Sequence, residues 1–221
     1  MTPRQKSEST VLTVMFIDIV GYTKKTASLS REKFDEMHDI FDSLSIPVFE
    51  KYGGSVVKKI GDAFLITFTS ATDAVLCGIE LQNSFRQYNR ANKGNIPLQI
   101  RVAIHTGEVI LRDNDVYGDA VNTAARIEGV AKADHIVFSE TVFSAMNKSE
   151  IPYIHLGLRK MKGLRYPVRI FRVKSQYDKI LKRRKRFKRR RQRMRNLLFS
   201  MAAFAFVILM IMLLLYLLGM M

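Results

Sequence analysis

Two aspartates stand beside glycines at the edges of short apolar segments. Asp18 lies in the run FIDIVG, residues 16–21, and Asp62 lies in KKIGDAF, residues 58–64. A carboxylate at the edge of an apolar strand is costly to desolvate unless a cation meets it, and a neighbouring glycine lets backbone come close to a ligand. Two such carboxylates predict a shared divalent-metal site. The alternative is that both are ordinary turn residues, because Gly-Asp is common in hairpins.

The segment after the first aspartate has the composition of a phosphate-binding turn. Its residues are Ile19, Val20, Gly21, Tyr22 and Thr23. A glycine-containing turn that leads into a helix can offer successive backbone N–H groups to phosphate oxygens. Together with two metal carboxylates, such a turn indicates nucleotide chemistry through magnesium. It is not a Walker motif, since the chain contains no GxxxxGK[ST].

An amide and a guanidinium recur at helical spacing in the segment DVYGDAVNTAAR, residues 115–126. Asn122 and Arg126 are four residues apart, so they project from one face of the helix expected to begin near Gly118. These two groups suit a ribose and a polyphosphate. A solvated helix face is the alternative for this pair taken alone.

The apolar pattern places these residues on an alternation of strands and helices. It predicts strands at 11–19, 55–60, 63–69 and 97–105, and helices at 30–52 and 71–92. The order βαββαβ is the ferredoxin-like split arrangement of an α+β fold, in which the first and third strands are antiparallel neighbours. Asp18 ends the first strand and Asp62 precedes the third, so this topology brings the two carboxylates together.

A C-terminal α/β extension follows this core. Its predicted elements are a strand at 108–111, a helix from 118 to about 132, a strand at 135–138, a helix at 140–146, and strands near 153–158 and 168–173. The expected organisation is an N-terminal tail at 1–9, one domain at 10–173, a basic juxtamembrane helix or linker at 174–196, and a membrane span at 197–221.

The membrane prediction rests on the last 25 residues. Residues 197–221 carry no charge and no proline, and a helix of that length spans the roughly 30 Å hydrocarbon core. The preceding residues, 182–195, hold eleven Lys or Arg and no acid. Positive flanks stay on the cytoplasmic side, so we expect a single-pass protein with a C-terminal anchor and a cytoplasmic domain. The single Cys77 agrees with a reducing compartment.

The basic run has two further interpretations. It fits anionic lipid headgroups, where each cation contributes up to about 1 kcal/mol. It also has the composition of a nucleic-acid-binding arm. Its position against the apolar segment favours the lipid, and no nucleic-acid partner is expected.

Four segments together resemble the catalytic domain of the class III nucleotidyl cyclases. They are FIDIVGYT, KKIGDAF, RVAIHTGEV and DVYGDAVNTAAR, in this order and spacing, and the resemblance covers residues 10–173. In that family two catalytic domains pair head to tail, and each active site lies between them. The resemblance implies that Asp18 and Asp62, with Ile19, hold two magnesium or manganese ions, and that the backbone of 19–23 cradles the phosphates.

The resemblance also implies which residues read the nucleotide. Lys58 donates to adenine N1 and Asp115 accepts from the 6-amino group, both from the partner subunit. Asn122 orients the ribose, and Arg126 stabilises charge on the α-phosphate. The triphosphate ligands implied are Arg101 and Lys162, with Arg165 as an alternative to Lys162.

These residues predict a homodimeric adenylate cyclase that converts ATP to 3′,5′-cyclic AMP and pyrophosphate. Guanylate cyclases of the family place Glu and a small residue such as Cys where this chain has Lys58 and Asp115. Guanylate cyclase activity is one alternative to this prediction. A catalytically silent, membrane-tethered nucleotide-binding dimerisation module is another.

Overall fold

The computed structural model describes residues 8–27, 29–93 and 97–175, together with positions 178, 192, 194 and 196. The chain divides into two compact units, Met1–Lys174 and Ser175–Met221. All of the strands and helices below belong to the first unit.

Thirteen elements follow one another along that unit. The first seven are β1 (Glu8–Ile19), α1 (Tyr22–Thr26), α2 (Arg31–Lys51), β2 (Ser55–Ile60), β3 (Ala63–Phe68), α3 (Ala71–Ala91) and β4 (Ile100–Arg112). The other six are β5 (Asp115–Tyr117), α4 (Asp119–Glu128), β6 (Ile136–Ser139), α5 (Glu140–Ala145), β7 (Tyr153–Arg159) and β8 (Val168–Val173).

The strands form one mixed sheet in the order β2-β3-β1-β4-β6-β8-β7, with β5 paired to β4 alone. Its first four strands reproduce the ferredoxin-like order, and β1 lies antiparallel between β3 and β4. The extension continues the same sheet, because β6 pairs parallel to β4. The α+β prediction is therefore confirmed for the first unit of the chain.

The two faces of the sheet are covered by different helices. α2 and α3 pack on the face that receives Met15, Ile17 and Ile19 of β1. α4 packs on the opposite face against Val14, since side chains alternate along a strand. Serine side chains cap α2 and α3 at their first turns, and Pro47 lies inside α2 without ending it.

The prediction of two strands at 97–105 and 108–111 was wrong, because β4 is continuous. It pairs with β1 from Glu8↔Leu111 to Ile19↔Ile100. Gly107 is not a turn residue: a Cβ at this position would lie 3.1 Å from Ala120 Cβ. The glycine lets α4 approach the sheet closely. β1 also begins inside the predicted 1–9 tail, at Glu8.

Three further boundaries differ from the sequence prediction. β5 was missed; Asp113 and Asn114, with φ of 53° and 59°, form the tight turn that joins it to β4. α4 ends at Glu128, before Gly129, rather than near 132. The short helix α1 was not predicted as a separate element.

No helix within the described part of the chain is long and apolar enough to cross a membrane. The predicted basic helix at 174–196 falls almost entirely outside the described residues, and the predicted span at 197–221 falls wholly outside them. Both remain predictions from sequence.

Candidate active site

The two predicted metal carboxylates meet at one end of β1. Asp18 is 7% exposed and stands opposite Ala63 of β3 and Arg101 of β4. Asp62 lies in the turn between β2 and β3, and its side chain is in hydrogen-bond contact with Asp18. The structure therefore places the two aspartates together, as the strand order predicts.

This carboxylate pair is electrostatically unfavourable without a cation. The pKa of Asp62 is raised to about 7, first by burial and then by the hydrogen bond and charge of Asp18. Arg101 acts against this rise. Two buried like charges favour either protonation or a bound cation.

Arg101 is the cation that the protein itself supplies here. Its Nε donates to Asp18 Oδ2 at 2.7 Å, and its Nη2 donates to the same oxygen. The Nε group also forms an ion pair with Glu128 Oε1, at the end of α4. The pKa of Glu128 is raised to about 7, chiefly by burial and also by the charge and hydrogen bond of Asp18, and Arg101 opposes this rise.

Glu128 is a site residue that the sequence reasoning missed. It follows Arg126 by only two residues, yet it pairs with the same Arg101 that pairs with Asp18, while Arg126 is exposed. Its position on α4, two residues from a predicted catalytic group, was the available signal.

The donor set fits magnesium or manganese. Magnesium is usually bound by one or two carboxylates, waters and substrate phosphates rather than by an all-protein cage. Asp18 and Asp62 supply two carboxylates at one point of the fold. Within the ranges that the structure covers, no three His, Cys, Asp or Glu side chains are arranged to hold a metal ion.

The predicted phosphate turn leads directly from β1 into α1. Gly21 adopts a left-handed conformation with φ of 73°, and α1 begins after it without a side-chain cap. The side chain of Ile19 is buried in the core, so only its backbone can face a ligand. Tyr22 is held in place by a 2.9 Å hydrogen bond between its hydroxyl and His38 Nε2.

The predicted base readers form a contact of their own. Lys58 Nζ donates to Asp115 Oδ2 at 2.6 Å. This hydrogen bond lowers the pKa of Asp115, so the carboxylate is an ionised acceptor at neutral pH. Lys59 faces the other side of the sheet, where it pairs with Asp42. The structure thus brings Lys58, not Lys59, to Asp115.

Tyr117 is a second residue that the sequence reasoning missed. Its ring centroid lies 5.9 Å from Lys58 Nζ, and its hydroxyl is hydrogen-bonded to Asp115. It follows Asp115 by two positions on β5, and alternate residues of a strand share a face. That spacing was the signal in the sequence.

α4 separates a buried face from an exposed one. Ala120, Thr123, Ala124 and Ile127 are buried, whereas Asn122 and Arg126 are exposed. The amide and the guanidinium are therefore available to a group outside the chain.

The β7–β8 loop lies beside Arg126. Met161 is buried next to Ile127, which anchors the loop. A Cβ at Gly163 would lie 3.8 Å from Arg126 Nη2, and Lys162 is exposed between these two anchors. Arg165 lies further along the loop, with its guanidinium 5.3 Å from the Tyr166 ring centroid.

The chain therefore carries two separate groups of candidate site residues. The metal group is Asp18, Asp62, Arg101 and Glu128. The reader group is Lys58, Asp115 and Tyr117. Among the described residues, no hydrogen bond or ion pair joins the two groups.

Three known proteins illustrate what this chain is similar to. The chain is 28% identical to the putative adenylate cyclase 3 of Rhizobium meliloti over 166 residues, which are 72% of this chain and 27% of that protein. The adenylyl cyclase CyaB of P. aeruginosa matches with a TM-score of 0.68 and 28% identity, covering 77% of this chain and 96% of that one. The guanylyl cyclase Cya2 matches with a TM-score of 0.68 and 27% identity, covering 76% and 93%.

The curated relatives are longer proteins, and this chain spans 11% to 37% of the length of those compared. The family model described as the adenylate and guanylate cyclase catalytic domain matches residues 4–175, which include every element of the sheet. The chain belongs to this family of class III nucleotidyl cyclases.

Proposed function

We propose that this chain is an adenylate cyclase that converts ATP to 3′,5′-cyclic AMP and pyrophosphate. The observation that carries the substrate assignment is the Lys58–Asp115 contact of 2.6 Å on the face of the sheet opposite α2 and α3. An ammonium donor beside an ionised carboxylate acceptor complements adenine, which presents an acceptor at N1 and a donor at its 6-amino group. Guanine presents the reversed pattern. A site that recognises a base through polar side chains rejects a base with the reversed pattern, because its own donor and acceptor groups are then left unpaired.

We propose that two copies of the chain form each active site. The separation of the metal group from the reader group supports this arrangement, as does the exposure of Asn122 and Arg126. In a head-to-tail pair, the Asp18 end of one subunit meets the reader group and α4 of the other. The two subunits of this pair are related by a two-fold axis, so a homodimer has two equivalent sites.

The proposed reaction is an in-line attack of the ribose 3′-oxygen on the α-phosphorus. Lys58 and Asp115 bind the base, Asn122 orients the ribose, and Arg126 stabilises negative charge on the α-phosphate. The turn at 19–23 and the cations Arg101 and Lys162 hold the triphosphate. Catalysis then depends on positioning and charge stabilisation, without a covalent intermediate.

Asp18, Asp62 and the backbone of Ile19 are the proposed ligands of two divalent cations. When bound, such cations favour ionisation of the 3′-hydroxyl and neutralise phosphate charge.

We also propose that residues 197–221 anchor the protein in a membrane, on the strength of their uncharged sequence. Alkaline carbonate extraction of membranes tests this. The full chain should remain in the pellet, and a chain ending at residue 175 should be released. Release of both chains would contradict the anchor.

The catalytic proposal is tested by incubating the purified full chain with Mn²⁺ and either ATP or GTP. Cyclic AMP should form, and GTP should compete weakly. Formation of cyclic GMP alone would indicate a guanylate cyclase, and absence of both products would indicate the silent dimerisation module.

A further inference from the structure

The carboxylate proposed to bind metal already has a cationic partner. Arg101 donates from Nε at 2.7 Å, and also from Nη2, to Oδ2 of Asp18. A divalent cation that approaches this oxygen meets the guanidinium. Because like charges repel strongly in a buried place, the metal and Arg101 compete for Asp18.

Arg101 has a second anionic partner on another element. Oε1 of Glu128 forms an ion pair with Arg101 Nε, but it is buried without a partner of good hydrogen-bond geometry. This oxygen can therefore accept a better bond from Arg101 than it does here. β4 carries the arginine and α4 carries the glutamate, so the guanidinium lies between two elements.

We propose that Arg101 is the internal counter-cation of the metal-free site, and that Glu128 is a positioning residue that takes up Arg101 when a metal ion binds Asp18. The proposal rests on the metal site of the proposed function. Removing one partner of a buried ion pair leaves an uncompensated charge. Glu128 keeps the charge of Arg101 compensated, because the arginine exchanges Asp18 for Glu128 as its main partner without leaving the site.

The first test measures Mn²⁺ binding to the full chain without nucleotide, by the electron spin resonance of free Mn²⁺. Arg101→Gln removes the competitor, so Mn²⁺ should bind about tenfold more tightly, and the metal-free protein should melt at a lower temperature. Arg169→Gln is the matched control: it breaks a 3.0 Å ion pair with Glu140 in which both side chains are substantially exposed. It should leave Mn²⁺ affinity unchanged.

The role of Glu128 requires a double-mutant cycle. Glu128→Gln should weaken Mn²⁺ binding several-fold, because Arg101 then pairs with Asp18 alone. The same substitution in an Arg101→Gln background should have a clearly smaller effect. Equal effects in both backgrounds would mean that Glu128 acts on the metal directly, and would overturn its role as a positioning residue.

A direct measurement covers the case in which Arg101→Gln does not fold. Mg²⁺ should shift the Arg101 Nε–H resonance in the unaltered chain, with Arg101→Lys used for assignment. An unmoved resonance under Mg²⁺ saturation, or unchanged Mn²⁺ affinity in Arg101→Gln, overturns the role of Arg101. If the unaltered chain binds no Mn²⁺, the proposed metal site fails as well, which distinguishes the two failures.

Discussion

At the scale of single residues, the site consists of charges that are partnered before any substrate arrives. Lys58 and Asp115 neutralise each other at 2.6 Å, and Arg101 neutralises Asp18. The Lys58–Asp115 pair is partly exposed, so its value for folding is modest, whereas Asp18 is buried beside Arg101. Their importance is that each fixes the position of a group that we propose to bind a nucleotide or a metal ion.

The base-reading pair is expected to decide the substrate. Replacing Lys58 with Glu and Asp115 with Cys reverses the donor and acceptor pattern. The ratio of kcat/KM for GTP to that for ATP should rise by at least about tenfold. Initial rates with each nucleotide measure this ratio. An unchanged ratio would contradict the assignment of Lys58 and Asp115 as base readers.

Tyr117 is expected to hold the reader pair in position. Tyr117→Phe keeps the ring beside Lys58 but removes the hydroxyl that bonds Asp115. The loss of one such bond costs about 1 kcal/mol, which corresponds to a roughly fivefold rise in KM for ATP, with kcat little changed. Tyr166→Phe is the control, because Tyr166 is 68% exposed. A fall in kcat at constant KM would argue against this role.

At the scale of elements, α4 places site residues on two sides. Its buried face packs on the sheet, its exposed face carries Asn122 and Arg126, and its last residue, Glu128, reaches the metal group. The close packing of α4 on the sheet depends on Gly107, because a Cβ there would lie 3.1 Å from Ala120 Cβ and 3.3 Å from His105 Nε2.

Gly107→Ala should therefore displace α4 or its neighbours. We expect a loss of about 1–3 kcal/mol in the free energy of unfolding, as for other overpacked cores, together with reduced activity. Urea denaturation measures the first quantity. Gly129→Ala is the matched control, since Gly129 has φ of −60° and a Cβ there would be 3.6 Å from its nearest neighbour. That change should be neutral or slightly stabilising. An equal loss in the free energy of unfolding for both variants would contradict the close packing of α4 at Gly107.

At the scale of the whole molecule, the proposed homodimer requires that one chain hold two half-sites rather than one complete site. In the part of the chain that the structure describes, no hydrogen bond or ion pair links the metal group to the reader group. A second copy in head-to-tail orientation would complete both sites at once.

Mixing two inactive variants tests this arrangement. Asp18→Ala removes the metal half, and Asn122→Ala removes a group contributed by the partner. Random pairing should restore about a quarter of the unaltered activity, because half of the dimers are mixed and each mixed dimer has one intact site. Cyclic AMP formation after mixing measures the recovery.

The control for this experiment mixes Asp18→Ala with Asp62→Ala. Both variants damage the same half-site, so every site of the mixed dimer lacks one carboxylate and no activity should return. Recovery in this control, or none in the first mixture, would contradict shared sites.

Much of the fold followed from local patterns. β2 has the predicted bounds, and α2, α3 and β3 lie within a residue of theirs. Periodicity along a strand or helix depends on residues two to four positions apart, which the sequence displays directly. The errors arose where distant contacts decided the outcome: β4 continues through Gly107 because β1 pairs along its length and α4 covers it.

The sequence by itself determined that Asp18, at the end of β1, and Asp62, in the turn before β3, come close together, and it predicted which residue types carry the chemistry. Only the tertiary structure placed Glu128 and Arg101 beside Asp18, and Tyr117 beside the Lys58–Asp115 pair. The physical reason is that these contacts join elements far apart in the chain, and side-chain spacing within one element does not specify them. The packing of α4 on the sheet and the position of Asp115 after the β4–β5 turn decide these contacts.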